Sequence, residues 1–190
     1  MRKVLFIALL FASALVQAQK VQDTFFGFKL GGDITADKID KTLVTEYSRS
    51  LIYVNENPLL IGTAHDLNYA GCKWGDMNVV IFKPDMKFFG VEFIETGSVF
   101  SNLRSRYDML LQMLTEKYGQ PEEVETDYQR WTGKNGVSIE LKYQILRPLP
   151  ADEQDALREE GKEIPFSRLY LTYWDVKMEA RAKQYNQDQL

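Results

Sequence analysis

The sequence predicts an α+β domain in which helices pack on one face of an antiparallel sheet. Short apolar segments separated by turn residues recur along the chain, which is typical of antiparallel strands joined by hairpins. One long amphipathic segment, residues 103–118, predicts a helix that covers a face of that sheet. The chain has 190 residues, 45% of them hydrophobic and 13% aromatic, which suits a single domain with a core rich in Phe and Tyr.

Residues 1–18 have the layout of a secretory signal peptide. A positively charged start is followed by an apolar run over residues 4–16. The small residue Ala18 then marks a cleavage point before Gln19. This run is shorter than a stable membrane anchor requires. We therefore expect residues 1–18 to be removed and residues 19–190 to form one domain. The protein is expected to be exported, either to a bacterial periplasm or to the medium.

Turn residues divide the first half of the chain into predicted strands and one predicted helix. Alternating apolar residues predict a strand over residues 24–30, which Gly31-Gly32 ends. A helix is predicted from Asp33 to Val44, with Ile39 and Leu43 on its apolar side. Further strands are predicted at residues 50–54, 59–62, 77–82 and 87–94, and residues 63–76 are expected to be rich in loops.

The clearest predicted element is a helix between Ser101, its expected N-cap, and Gly119, which stops it. Its buried face is predicted to consist of Leu103, Tyr107, Leu110, Leu111, Leu114 and Tyr118. Later elements are predicted as strands at residues 124–131, 137–146 and 169–174, a short acidic helix at 152–160 and a polar helix at 175–190. Residues 147–167 form a long connection between strands, which is expected either to be functional or to cap a sheet end.

Two parts of the chain, residues 24–87 and 88–176, resemble each other and indicate an internal repeat. The matching pieces are Phe25-Phe26-Gly27 with Phe88-Phe89-Gly90 and, at the same spacing, Pro58 with Pro121. Each part would contain a strand, a helix and further strands, and the two parts would share one core. Coincidence is the alternative, because short matches arise easily in a chain rich in Phe.

The chain also resembles a known family of small secreted bacterial proteins, those with the β-lactamase-inhibitor-protein-like architecture. The resemblance rests on Lys117-Tyr118-Gly119-Gln120-Pro121 at the helix exit, on a hairpin led by Trp131, and on the strand Leu169-Tyr170-Leu171-Thr172-Tyr173-Trp174. It extends over about residues 24–176 as a pattern of elements. It implies tandem α/β units with helices on one face of an antiparallel sheet. Known inhibitors of this kind carry disulfides, which this chain cannot form, so inhibition of a β-lactamase is not implied.

Catalytic motifs are scarce in this sequence. His65 is the only histidine and Cys72 the only cysteine, which excludes a paired-histidine metal site and an intramolecular disulfide. The chain contains no P-loop, no dinucleotide-binding motif and no Gly-x-Ser-x-Gly motif. Its net charge of −4 and the lack of a basic cluster argue against a nucleic-acid partner. We expect a protein without catalytic activity, cofactor or metal, in which His65 is an ordinary loop residue and Cys72 is buried.

Strand alternation predicts which side chains face away from the helices. If Ile139, Leu141, Leu169 and Leu171 face the helices, the opposite face displays Glu140, Lys142, Tyr170 and Trp174, and by the same register Phe25 and Phe88. Tyr and Trp among charged residues are typical of the centre of a protein interface. The alternative is that the tail or residues 147–167 cover this face.

The predicted function is therefore binding of a cell-envelope protein through an open sheet face. Two other functions stay open. The first is transport of an apolar small molecule in a pocket between the helix of residues 101–118 and the sheet. The second is hydrolysis of a glycan by two carboxylates, although no spacing in the sequence selects a particular pair.

Overall fold

The computed structural model describes residues 20–46, 48–55, 67–99 and 101–190. Its main element is an eight-stranded sheet in which each strand pairs antiparallel with its neighbours. The strands, in chain order, are β1 (Thr24–Phe25), β2 (Phe28–Lys29), β3 (Val44–Glu46), β4 (Leu51–Asn55), β5 (Leu67–Tyr69), β6 (Cys72–Trp74), β7 (Asp76–Phe82), β8 (Lys87–Gly97), β9 (Glu122–Glu125), β10 (Tyr128–Thr132), β11 (Val137–Ile145) and β12 (Ser167–Asp175). The predicted α+β class and the antiparallel sheet are confirmed.

The main sheet consists of two four-stranded meanders joined side by side. The strand order is β3-β4-β7-β8-β12-β11-β10-β9, so β8 and β12, each the last strand of its meander, pair at the centre. Two short hairpins, β1 with β2 and β5 with β6, form separate two-stranded sheets. Leu67, Cys72 and Trp74 of the second hairpin contribute to the main core. For residues 67–74 this hairpin corrects the expectation of a segment rich in loops, and residues 63–66 lie outside the described residues.

Three α-helices occur in the described residues: α1 (Leu103–Tyr118), α2 (Ala151–Glu159) and α3 (Val176–Gln187). The main core lies between α1 and one face of the sheet. On the opposite face, Met178 and Ala182 of α3 pack against Val80, Phe82 and Phe89 in a smaller core. The prediction that helices pack on one face only is therefore wrong for α3.

The predicted buried face of α1 is largely confirmed. Leu103, Tyr107, Leu110, Leu114 and Tyr118 are buried, and Leu111 is partly buried against the same core. The helix ends at Gly119, whose positive φ of 89° suits a residue without a Cβ. Its N-cap is Asn102 rather than the predicted Ser101, because the Ser101 hydroxyl donates instead to the carbonyl of Ser98 at 2.6 Å.

Two predictions for the first half are wrong. The strand expected over residues 24–30 is a hairpin, because Phe26 and Gly27 take positive φ values of 53° and 83° and reverse the chain. The helix expected over residues 33–44 is replaced by two 3-10 turns at residues 36–38 and 41–43. At the second turn the Asp40 carboxylate accepts a hydrogen bond from the backbone N–H of Thr42, and the chain then enters β3.

These differences also affect the predicted repeat. Phe26-Gly27 forms a turn, whereas Phe89-Gly90 lies inside β8, so the matching tripeptides have different conformations. Among the described residues before α1 there is no α-helix comparable to it. The unit that occurs twice is the four-stranded meander, and the first meander ends with β8 at residue 97 rather than at residue 87. Pro58 and the strand predicted at 59–62 lie outside the described residues.

The bounds of the remaining elements of the second half agree with the predicted bounds to within a few residues. One exception is the strand predicted at residues 124–131, which a turn at Asp127, with a φ of 62°, divides into β9 and β10. The long connection of residues 147–167 contains α2, none of whose residues is buried. In chain order this helix lies between β11 and β12.

Candidate functional site

The sheet face opposite α1 is covered by α3 at one end and open at its centre. A groove of about 240 Å³, here called the sheet groove, lies on this open part. Its lining residues are Glu92, Tyr128, Glu140, Lys142, Gln144, Tyr170, Thr172 and Trp174. The sequence predicted Glu140, Lys142, Tyr170 and Trp174 for this face, and the structure brings all of them together.

Strand register explains why these side chains meet. Glu92 of β8, Thr172 of β12 and Glu140 of β11 lie opposite one another in a row across the centre of the sheet. The next row on the same face consists of Ile94, Tyr170, Lys142 and Tyr128. Alternate residues of a strand face the same side of a sheet, so both rows are directed away from α1.

Phe25 and Phe88 do not belong to this face, and their prediction is wrong. Both rings are buried in the main core on the α1 side, and Phe88 is only 1% exposed. An irregularity between β7 and β8, after Val80, shifts the register, so that Phe89 faces α3 and Phe88 faces the main core. Phe25 ends the short strand β1, and its ring centre lies 5.0 Å from that of Tyr173.

Trp174 connects the sheet groove to the packing beneath α3. Its ring lies so close to Gly90 that a Cβ on Gly90 would be 2.1 Å from the indole Cε3. The indole is also 5.0 Å from the Phe89 ring, in an edge-on arrangement. Its Nε1 donates a hydrogen bond to Oε2 of Glu140 at 3.1 Å. Trp174 therefore contributes both to the core beneath α3 and to the wall of the groove.

Glu140 belongs to a network of compensated charges. Arg130 lies between two carboxylates, with Nη1 3.7 Å from Oε1 of Glu140 and Nη2 2.5 Å from Oε2 of Glu179. Lys183 also contacts Glu179, at 2.8 Å. Burial opposes ionisation of Glu179, but hydrogen bonds from Lys183 and Arg130 outweigh it and lower the pKa of this carboxyl.

Glu92 has no comparable compensation. Its Oε2 accepts a hydrogen bond from the Asn78 side chain at 2.8 Å, and none of the ion pairs among the described residues includes it. Burial raises the pKa of Glu92 above its ordinary value of 4.5; Asn78 opposes this effect and the charge of Glu140 adds to it. The sheet groove thus contains one carboxylate with nearby cations and one that burial makes harder to ionise.

Lys142 and Tyr128 form the far wall of the groove. The Lys142 ammonium lies 5.6 Å from the centre of the Tyr128 ring, within the range of a cation–π interaction. Burial and the adjacent charge of Glu140 raise the pKa of the Tyr128 hydroxyl. Tyr128 therefore remains a neutral hydroxyl that is able to donate a hydrogen bond.

The sequence prediction did not name the other four lining residues as site residues: Glu92, Tyr128, Gln144 and Thr172. Glu92 follows an available signal, because it alternates with the apolar residues Val91 and Phe93 in β8. Thr172 carries the same signal in β12. Tyr128 was not recognisable in this way, because its orientation depends on the turn between β9 and β10.

A second cavity, here called the helix cavity, lies beside α1 and has a volume of about 250 Å³. Its lining residues are Gln22, Tyr69, Ala70, Leu110, Met113, Leu114, Lys117, Tyr118 and Tyr173. The Tyr69 ring stacks on Phe93, with ring centres 4.3 Å apart, and its hydroxyl donates to the Gln22 side chain at 2.8 Å. Burial raises the pKa of Tyr69 to about 12. This cavity lies where the sequence placed a pocket for a small molecule.

Within the described ranges, no group of three or more His, Cys, Asp or Glu side chains is arranged to hold a metal ion. In the same part of the chain, no helix is both long and apolar enough to cross a membrane. Cys72 is a buried free thiol on β6, whereas His65 lies outside the described residues.

Comparison of the chain with protein-family models, with curated proteins and with solved structures finds no match. The resemblance to proteins of β-lactamase-inhibitor-protein-like architecture therefore stays a prediction.

Proposed function

We propose that this protein is an exported, non-catalytic binding domain that contacts a protein partner through the sheet groove. The observation that supports the proposal is the uncovered part of the sheet, where three aromatic side chains lie among charged ones. Tyr and Trp are frequent anchors of protein interfaces because they bury a large area and lose little conformational freedom. Export is part of the proposal because of the signal-peptide pattern of residues 1–18.

The position of the groove on central strands also supports a binding role. Glu92, Thr172 and Glu140 belong to three neighbouring strands in the middle of the sheet, and each strand is paired on both sides. Arg130 and Trp174 both contact Glu140 and hold its side chain in place. A site on a rigid element binds with a smaller loss of entropy than one on a loop.

Site-specific photocrosslinking in the native organism tests this proposal. A benzoyl-phenylalanine residue replaces Tyr170 in the groove or, as the control, Met109 on the exposed side of α1, which is 41% exposed. We expect irradiation to produce a discrete protein adduct from position 170 and none from position 109. The lack of an adduct at position 170, or equal adducts at both positions, would contradict the proposal.

Transport of an apolar small molecule is a second candidate function, which the helix cavity favours. Leu110, Leu114 and Met113 provide an apolar wall, and Tyr69 and Gln22, joined by a hydrogen bond, add polar groups to the lining. The volume of about 250 Å³ is below the range of about 300–1,000 Å³ typical of ligand pockets, so a small ligand is expected. Native mass spectrometry of gently purified protein tests this function, because a carrier retains a ligand and a binding domain shows only its own mass.

Glycan hydrolysis is a third candidate, since the groove now selects one carboxylate pair. Glu92 has a raised pKa and suits a general acid, while Glu140, beside Arg130, suits a general base. Turnover of a glycan panel by the parent protein, and its loss in Glu92→Gln, would establish this function. Turnover that Glu92→Gln leaves unchanged would rule out this carboxylate pair, and no turnover by the parent would eliminate the function.

A further inference from the structure

We infer that the sheet groove receives an arginine side chain of the partner, with the Glu92 carboxylate as its counter-ion. This inference rests on the proposed function and names the chemistry that the groove would recognise. Four features of the groove support it. Within the described part of the chain, they are the unpaired charge of Glu92, the Glu92 oxygen that accepts no hydrogen bond, the neighbouring aromatic rings, and the size and surroundings of the groove.

Charge is the first feature. Of the two carboxylates in the groove, Glu140 already contacts Arg130 and the indole N–H of Trp174. Lys142 belongs to β11 and lies over the Tyr128 ring. The strand β12 separates β11 from β8, which carries Glu92. Glu92 is therefore the groove carboxylate without a cation among the described residues. A partly buried carboxylate is costly unless it is paired, so a cationic ligand would relieve this cost.

The second feature is the hydrogen bonding of Glu92. Asn78 donates to Oε2 at 2.8 Å, and in the part of the chain that the structure describes no hydrogen bond reaches Oε1. An incoming guanidinium presents several N–H donors in one plane, so it can bond Oε1 while Asn78 keeps Oε2. Thr172, opposite Glu92 on β12, provides a hydroxyl beside the same position.

The third feature is aromatic. Tyr170 and Trp174 lie on β12 on either side of Thr172, and no cation–π contact within the described ranges involves either ring. A guanidinium is planar and weakly hydrated, so it stacks on aromatic rings more readily than an ammonium does. The groove thus combines a carboxylate with aromatic walls, which together favour arginine over lysine.

The fourth feature is the size and surroundings of the groove. Its volume of about 240 Å³ suits one long side chain better than a drug-sized ligand, which needs about 300–1,000 Å³. The groove extends to Gln144 near the end of β11, and the exposed helix α2 follows from that end. Asp152, Glu153, Asp155 and Glu159 make α2 acidic, so its field attracts a basic partner toward this side of the domain.

The test uses two amino-acid probes whose termini are blocked and uncharged. Acetyl-arginine methylamide carries the guanidinium, and acetyl-citrulline methylamide is its uncharged isostere. Each is titrated into ¹⁵N-labelled protein and followed by backbone amide shifts. We expect the arginine probe to shift the amides of Glu92, Thr172 and Tyr170, with saturation in about the millimolar range, and to bind about tenfold more tightly than citrulline.

Variants then assign the binding to Glu92. Glu92→Gln, which preserves shape and removes the charge, should weaken the arginine probe by about tenfold. The matched control Glu125→Gln changes an exposed glutamate on the edge strand β9 and should bind as the parent does. Equal affinity for arginine and citrulline, unchanged binding by Glu92→Gln, or shifts confined to other surfaces would each overturn the inference.

Failure of this inference is distinguishable from failure of the proposed function. A photocrosslinked partner at position 170 that Glu92→Gln captures as well as the parent does would overturn the arginine contact and leave the binding function in place. The lack of any adduct at position 170 would instead remove the proposed function itself. Specific binding of the arginine probe in the groove would still support the charge recognition.

Discussion

The ring of Trp174 lies against the backbone of Gly90, its direct neighbour across the β8–β12 pair. At this point the sheet accommodates an indole only because position 90 has no side chain. Trp174 also contacts Phe89 beneath α3 and hydrogen-bonds Glu140 in the groove. The core beneath α3 and the candidate site therefore share Trp174, and changes at position 90 or 174 should affect both.

Gly90→Ala should lower the free energy of unfolding by about 1–3 kcal/mol. The new Cβ would be 2.1 Å from the Trp174 ring and 2.6 Å from the carbonyl oxygen of Tyr173, so ring and backbone would both have to move. Urea denaturation measures the change. Gly75→Ala is the matched control, because its Cβ would come no closer than 3.6 Å to Glu95, and it should stay within about 0.5 kcal/mol of the parent. A similar cost at both positions would argue against the close packing of Trp174.

Trp174→Ala and Tyr170→Ala should separate binding from stability. Trp174 is half-buried in the packing beneath α3, so its removal should cost about 2–4 kcal/mol as well as weakening partner contact. Tyr170 lines the groove outside both cores, so Tyr170→Ala should cost less than about 1 kcal/mol. Paired denaturation and partner-binding measurements test this contrast. If Tyr170→Ala destabilises as much as Trp174→Ala, the groove is part of the structural core rather than a free surface.

Leu110→Ala should destabilise the protein by about 2–5 kcal/mol, because Leu110 is fully buried between α1 and the sheet. Met109→Ala changes the adjacent residue of the same helix, whose side chain is 41% exposed, and should have an effect within about 0.5 kcal/mol. Thermal melts or urea titrations of both variants measure the difference. Equal effects would mean that α1 packs through another face.

The stability difference between the parent and Glu92→Gln should depend on pH. The pKa of Glu92 is higher in the folded protein than the ordinary 4.5, so the folded state holds its proton more tightly than the unfolded chain does. This contribution to stability is fully present below about pH 4.5 and is lost as the pH rises through the folded pKa. Gln has no such proton, so Glu92→Gln should gain stability relative to the parent as the pH rises.

Urea titrations of both proteins at about pH 4 and about pH 8 measure this change. All the other carboxyl groups are common to the two proteins, so the contributions of those that do not couple to Glu92 cancel in the comparison. Glu125→Gln, which removes an exposed carboxylate on the edge strand β9, provides the matched control. A pH-independent difference for Glu92→Gln would show that burial does not raise the pKa of this carboxyl.

Local patterns in the sequence were sufficient for α1, β11 and β12. The stripe of Leu110 and Leu114 repeats at helical spacing, and Gly119 marks the end of the helix. Strict alternation in β11 and β12 correctly placed Glu140 and Tyr170 on the same open face. In these elements, local conformation and burial follow the same periodicity, which is why the sequence predicts them well.

The wrong predictions concern features that local periodicity does not determine. Strict alternation along β8 would direct Phe88 away from the main core. The irregularity beside Val80 reverses this orientation, and it depends on how β8 pairs with β7. The hairpin at Phe26-Gly27 depends on left-handed backbone conformations in a segment that also alternates like a strand. The position of α3 on the far face depends on where the apolar patch of Val80 and Phe89 forms, which requires the assembled sheet.

The pairing of β8 with β12 has a consequence for the time at which this domain can form. The two strands at the centre of the sheet are separated by about 70 residues, and β12 ends near the C-terminus. Contacts between distant segments form slowly because a large loop has to close first. The sheet therefore stays incomplete until β12, the last strand in chain order, has left the ribosome. If the proposed signal peptide directs export of the unfolded chain, this delay assists translocation, because an unfinished sheet leaves the chain extended.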